Sequence, residues 1–144
     1  MQPGAEATMR LRAMTAADLS AAHALSREAR WPHRLEDWEL MLQCGQGLVA
    51  EEDGEIVGTV MGFPHGPQIA TLGMVIVSHA RRGGGLGRRL MDAMIAELAP
   101  RAIQLNATPD GAPLYRSQGF VPTARRSTPK SSITGMSSWA AQSR

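Results

Sequence analysis

Cysteine is almost missing from this chain: Cys44 is the only one in 144 residues. That excludes a disulfide framework and a cysteine-built metal cluster. Cys44 itself, in a Gln-Cys-Gly stretch, reads as inert packing. The four histidines are scattered, without the spacing of a metal site. Aromatics are scarce too, with three Trp, two Phe and one Tyr, and nine Met help to fill the core instead. No hydrophobic run is long enough to cross a bilayer, and Met1 to Arg12 is polar and mixed, unlike a signal peptide. A cytoplasmic protein without a membrane partner is the expectation. A strong charge excess is also absent. The formal net charge is +2, and although the pI is about 9.3, bulk charge does not argue for a nucleic-acid partner. The apolar fraction, 43%, is a little under the globular average, and the length suits one domain.

Hydrophobic periodicity orders what is present. Residues 1–7 read as a loose leader. Thr8 to Ala13 alternates like a half-buried strand. Thr15 and Asp18 form a capping box that opens a helix to about Arg30, ended by Pro32. Leu35, Trp38, Met41 and Leu42 predict a second helix to about Gln43. Gly47–Glu52 and Glu55–Phe63 are strands joined at Asp53-Gly54, a strong hairpin signal. Pro64 to Pro67 is expected to break that run, and Ile69 to Val77 is the next strand. Leu86, Leu90, Met94, Ile95 and Leu98 stripe a helix ending near Pro100. A strand over Ala102–Ala107, a turn at Pro109-Asp110-Gly111, a short helix to Gln118 and a strand over Phe120–Ala124 follow. The Ser/Thr/Arg-rich residues 126–144 form a tail, either partly disordered or carrying a last strand at Ser132–Met136. The order is that of an α+β fold: a mixed sheet with helices on both faces.

Strand, basic glycine loop and helix start meet in Val75-Ile76-Val77-Ser78-His79-Ala80-Arg81-Arg82-Gly83-Gly84-Gly85-Leu86-Gly87-Arg88-Arg89. Glycines let a ligand approach the backbone, and a helix N-terminus offers free N–H donors with a positive dipole end. Such a loop suits a phosphate or pyrophosphate. It is no Walker loop, because Arg88 and Arg89 stand where lysine and a hydroxyl are needed. It is no dinucleotide fingerprint either, because Arg88 takes the third glycine position. The plain alternative is a flexible connection with charged flanks. A nucleic-acid patch at Arg81 to Arg89 would lack an aromatic platform.

The R-x-x-G-x-G order of Arg82, Gly85 and Gly87, followed by Leu114-Tyr115-Arg116-Ser117-Gln118-Gly119-Phe120, resembles the two signature blocks of the GNAT (Gcn5-related) N-acetyltransferase superfamily. The resemblance covers residues 8–125. It implies the GNAT acyl-CoA N-acyltransferase fold, with a central, mostly antiparallel sheet. It also implies transfer of an acetyl group from acetyl-CoA to a primary amine of a small molecule or amino acid derivative, by direct attack in a ternary complex. In that resemblance Met74, Val75, Ile76 and Val77 supply backbone donors to the thioester and pantetheine arm. Arg82, Gly83, Gly84, Gly85, Leu86, Gly87 and Arg88 cradle the pyrophosphate. Tyr115, the one tyrosine, is the acid that protonates the departing sulfur; a phenol stays protonated at pH 7. For the proton leaving the amine, His33, Glu36, Asp37, Glu51, Glu52 and His65 stand as candidates, while His79 reads as a turn residue. No metal and no nucleic acid are expected, and a homodimer is compatible with the family. The rival reading is a CoA-binding GNAT-like module without transfer activity.

Overall fold

The computed structural model describes residues 9–107, 112–122 and 137–142. Strand β1 (Met9–Ala13) leads through a 3-10 turn (Ala16–Asp18) into helix α1 (Leu19–Glu28). Helix α2 (Leu35–Cys44) is followed by strands β2 (Gln46–Glu52), β3 (Glu55–His65) and β4 (Ile69–Val77). Helix α3 (Leu86–Leu98), strand β5 (Ala102–Ala107), helix α4 (Ala112–Ser117), and strands β6 (Val121–Pro122) and β7 (Ser137–Gln142) complete the order. The capping box is present: Thr15 N–H donates to Asp18 Oδ2 at 2.8 Å. Arg12 grips the same carboxylate at 2.9 Å, and with the Thr15 amide holds it below the ordinary carboxylate range against the opposing effect of burial. At the β2–β3 turn Asp53 (φ 52°) and Gly54 (φ 85°) both take the left-handed backbone a tight hairpin needs.

The seven strands lie in the order β1-β2-β3-β4-β5-β7-β6. All neighbours are antiparallel except β4 and β5, which are parallel. Strand β3 runs past Pro64 to His65, where a break was expected. Its pairing with β2 ends at Gly62, so Pro64 sits beside β4 alone and its missing N–H costs no ladder bond on the other side. The last strand is Ser137–Gln142, inserted between β5 and β6. Ser132–Met136, the leader, the Pro109–Gly111 turn and the end of the Phe120–Ala124 strand lie outside the described residues.

Two cores flank the sheet. On one face α3 buries Leu86, Leu90, Met91, Met94 and Leu98 against Val57, Val60, Leu72 and Ile103, with Val75, Val77 and Tyr115 packed alongside. On the other, α1 and α2 bring Leu19, Leu25 and the fully buried Trp38 onto Val49, Met61 and Ile76. Trp31, Leu35 and Met74 pack around that second core. Alternation along β4 therefore sends Val75 and Val77 to the α3 face, and Met74 and Ile76 to the α1–α2 face.

Candidate active site

Strand β4 changes partners partway along. It pairs with β5 only at Ile69–Thr71, opposite Ala102–Gln104. From Leu72 to Val77 the edge facing β5 has no strand partner among the described residues. The separation coincides with a bulge. The β3 register steps from Thr59↔Ile76 to Met61↔Gly73, which leaves Met74 and Val75 opposite Val60. Met74 adopts φ 55°, unusual for a residue with a side chain. The Thr59 hydroxyl, fully buried, donates to the Met74 carbonyl at 2.8 Å and holds the bulge from behind. The result is a slot between two parting strands, one wall of which is unpaired backbone.

The glycine loop continues that wall. Ser78 N–H donates to Val57 O at 2.8 Å, a 3-10 turn covers His79–Arg81, and Gly85 (φ 83°) opens α3 in the left-handed conformation. Gly83 has φ 86°, and a Cβ on either glycine would meet nothing within 4 Å. These glycines are needed for the backbone turn, and they leave open space above it. Gly87 is different: a Cβ there would lie 3.5 Å from Leu114 and 3.7 Å from Val77, so the first turn of α3 closes against β4 and α4. The side chain of Leu86 is buried at 5% exposure, which leaves only its backbone to a ligand.

The arginines divide by partner. Arg81 is bound to the buried Glu52 carboxylate, a structural ion pair. Arg82 Nε donates to Val77 O at 3.3 Å, across the base of the loop. Arg88 reaches Ser117 Oγ at 3.4 Å. The α4 region leans on α3 here, because Gln118 Nε2 donates to Arg88 O at 3.4 Å and Asp92 Oδ1 at 2.7 Å.

Tyr115 sits half-buried on α4, in the same core as Val75 and Val77, with its ring 6.2 Å from Phe120 in an edge-on contact. Its hydroxyl makes no hydrogen bond to any described residue. Burial raises its pKa above the ordinary 10. The phenol is thus kept protonated, with no hydrogen-bond partner among the described residues. Residues 74–77 and 82–88 follow one another along β4, the loop and α3, and Tyr115 lies on α4, whose Leu114 and Ser117 approach Gly87 and Arg88.

The residues proposed for the amine proton are dispersed. Glu51 accepts from Arg12 Nε at 2.7 Å, and Glu52 is held by Arg81. His65, bonded to Thr71 at 3.0 Å, pairs with Ile69 at the closed end of the slot, about 16 Å along β4 from Met74 at the usual rise. Asp37 accepts the Arg34 N–H at 2.8 Å as a helix cap. Glu36 is exposed on α2. The His79 N–H donates to Glu28 Oε1 at 3.2 Å, tying the loop to α1. Only His33 lies in the bridge between α1 and α2, where Trp31 packs against the same core as Met74. Thr59 was not singled out from the sequence; a hydroxyl in the otherwise apolar Val-Gly-Thr-Val-Met run was the available signal.

The family described as "Acetyltransferase (GNAT) domain" matches residues 43–122, over half the chain. The chain is similar to an uncharacterized N-acetyltransferase, YitH, of Bacillus subtilis (strain 168), 33% identical over 99 residues covering 67% of this chain and 35% of that protein. It is also similar to L-2,4-diaminobutyric acid acetyltransferase of Nocardia farcinica, 30% identical over 112 residues covering 72% of this chain and 58% of that protein. The chain therefore spans about a third and under two thirds of these two relatives. Among solved structures, the ribosomal-protein-S18-alanine N-acetyltransferase from Escherichia coli shares the fold at TM-score 0.82, with 19% identity and 94% of each chain covered.

Proposed function

Because this chain belongs to the GNAT acetyltransferase family, we propose that it is an acetyl-CoA-dependent N-acetyltransferase acting on a primary amine of a small molecule or amino acid derivative. One observation carries the reading. The slot between β4 and β5, next to the Met74 bulge, leads along β4 into the glycine loop and the N-terminus of α3, and Tyr115 packs against the same core as Val75 and Val77. A long, thin ligand ending in a pyrophosphate fits that path, and the open space above Gly83 and Gly85 suits its approach.

Acetyl-CoA supplies an activated acyl group with a thiol as leaving group. The free backbone donors at Met74–Val77 hold the arm and polarise its carbonyl. The N–H groups of residues 82–88 and the α3 dipole hold the phosphates, with Arg82 and Arg88 adding charge. As the neutral amine bonds to the acetyl carbon and the C–S bond breaks, Tyr115 would give its phenolic proton to the departing sulfur, and the proton shed by the amine would return to the phenol through solvent. The similarity to a diaminobutyric acid acetyltransferase supports a small amine, and the fold shared with an S18-alanine N-acetyltransferase makes a peptide N-terminus the competing acceptor.

Two measurements test this. The amides of Met74–Val77 are expected to slow in hydrogen exchange when acetyl-CoA is added. Slowing elsewhere alone contradicts the slot assignment. A panel of common L-amino acids, their decarboxylated amines and an alanine-initiated peptide is expected to release free thiol for at least one small amine. Acetyl-CoA binding without thiol release from any of them would favour the binding-module reading.

A further inference from the structure

We propose that the bridge Arg30–Arg34 between α1 and α2 selects acceptors that carry a carboxylate next to the amine, with Arg30 and His33 as its hydrogen-bond donors. This rests on the acetyltransferase reading and deepens it.

The first observation is a backbone one. Trp31 N–H donates to Ser26 O at 2.9 Å and Arg30 N–H to Arg27 O at 2.9 Å, the double closure that ends a helix on a left-handed residue. Arg30 is that residue, at φ 65°. Glycine is favoured there, and an arginine is strained. Its guanidinium is exposed and has no partner among the described residues. Arg34, by contrast, is tied to Asp37 at 3.7 Å.

The second observation is His33. Its Nδ1 is buried and has no hydrogen-bond partner among the described residues. An orphaned N–H is costlier to bury than an orphaned lone pair, so the proton belongs on Nε2. His33 then presents an N–H donor at Nε2. Its ring leans on Trp31 at 5.9 Å, and the Trp31 indole N–H is likewise unbonded to any described residue. The acids nearest the bridge in sequence are the exposed Glu28, which accepts the His79 N–H, the exposed Glu36, and Asp37, which accepts the Arg34 N–H.

The third observation is place. Trp31, Leu35 and Met74 all pack against the core that holds Ile76, on the face of the sheet opposite α3. The phosphates belong at the α3 end. An anion drawn to the bridge is therefore the acceptor's own, held over the strand where the acetyl group would sit. Donors without acceptors select an anion, and a planar guanidinium suits a carboxylate.

The test uses the panel above on wild type and Arg30→Gly. The variant relieves the strain, so its melting temperature is expected to rise by about 3 °C. The KM for L-amino acids is expected to rise about tenfold at little-changed kcat, the scale of one lost charged hydrogen bond. The KM for decarboxylated amines and acetyl-CoA affinity stay as they were. Without turnover, the indole N–H signal of Trp31 and the ring signals of His33 in acetyl-CoA-saturated protein are expected to shift with L-amino acids and not with the decarboxylated amines. Decarboxylated amines serving equally well, preference for the alanine-initiated peptide, an unchanged amino acid KM in the variant, or unmoved Trp31 and His33 signals would each overturn the proposal. Failure of acetyl-CoA to bind at all would instead overturn the reading beneath it, and the exchange measurement at Met74–Val77 tells the two apart.

Discussion

Replacing Tyr115 by Phe is expected to lower turnover by about 10²-fold at saturating acetyl-CoA, the low end for loss of a general acid. The argument is local. Tyr115 lies half-buried against the core that holds Val75 and Val77, and its ring meets Phe120 edge-on. Phe keeps that packing. The hydroxyl bonds to no described residue, so its removal orphans no described partner and should hardly move the melting temperature. What disappears is the transferable proton. Acetyl-CoA affinity should stay close to wild type, because the phenol matters most as negative charge gathers on sulfur. The pH dependence follows in sign. Burial raises the Tyr115 pKa above the ordinary 10, and the working form is the protonated one. Turnover should therefore fall on the alkaline side only beyond the ordinary phenol range, and the Phe variant should lack that limb. Near-normal turnover in a folded, saturated variant would make Tyr115 a packing residue. Lost affinity with unchanged turnover would make it a ground-state contact.

A pair of substitutions at Gly85 separates backbone from charge at the phosphate end. Gly85 caps α3 at φ 83°, with nothing within 4 Å of an added Cβ. Asn and Asp both tolerate a left-handed backbone better than other side chains, and they have nearly the same shape. Both variants should fold. Asp puts a negative charge at the α3 N-terminus, where its field attracts an anion. It competes with a pyrophosphate for the same N–H donors. Calorimetry is expected to show CoA affinity reduced at least about 30-fold (~2 kcal/mol) in Gly85→Asp, and by much less in Gly85→Asn. A folded Asp variant that binds CoA like wild type would remove the loop from the cofactor site. Equal losses in both variants would point to the loop's shape instead of its charge.

Much of this was legible because it is local. Alternation in Met9–Ala13, the Asp53-Gly54 turn, and the Leu86-Leu90-Met94-Leu98 stripe each report a backbone conformation through neighbours a few residues away. Gly83 and Gly85 could be placed in a turn for the same reason, since positive φ belongs to glycine before any tertiary contact forms. These local features determined the strand–loop–helix unit and, with the Tyr115 block, the family. The tertiary structure decided the rest. Met74 carries no mark of a bulge; its φ of 55° follows from a register step against β3 that Thr59 stabilises from behind. The slot exists because β4 and β5 stop pairing after Thr71, an outcome of strand twist and long-range partners that neither strand encodes alone. Insertion of Ser137–Gln142 between β5 and β6 is a non-local pairing, invisible in a polar stretch with weak alternation. Partners settled the charged residues in the same way. Arg81 and Arg88 look alike in the sequence, yet buried Glu52 claims one while the other stands beside Ser117 at the mouth of the loop, because a side chain's role follows from what the fold sets within its reach.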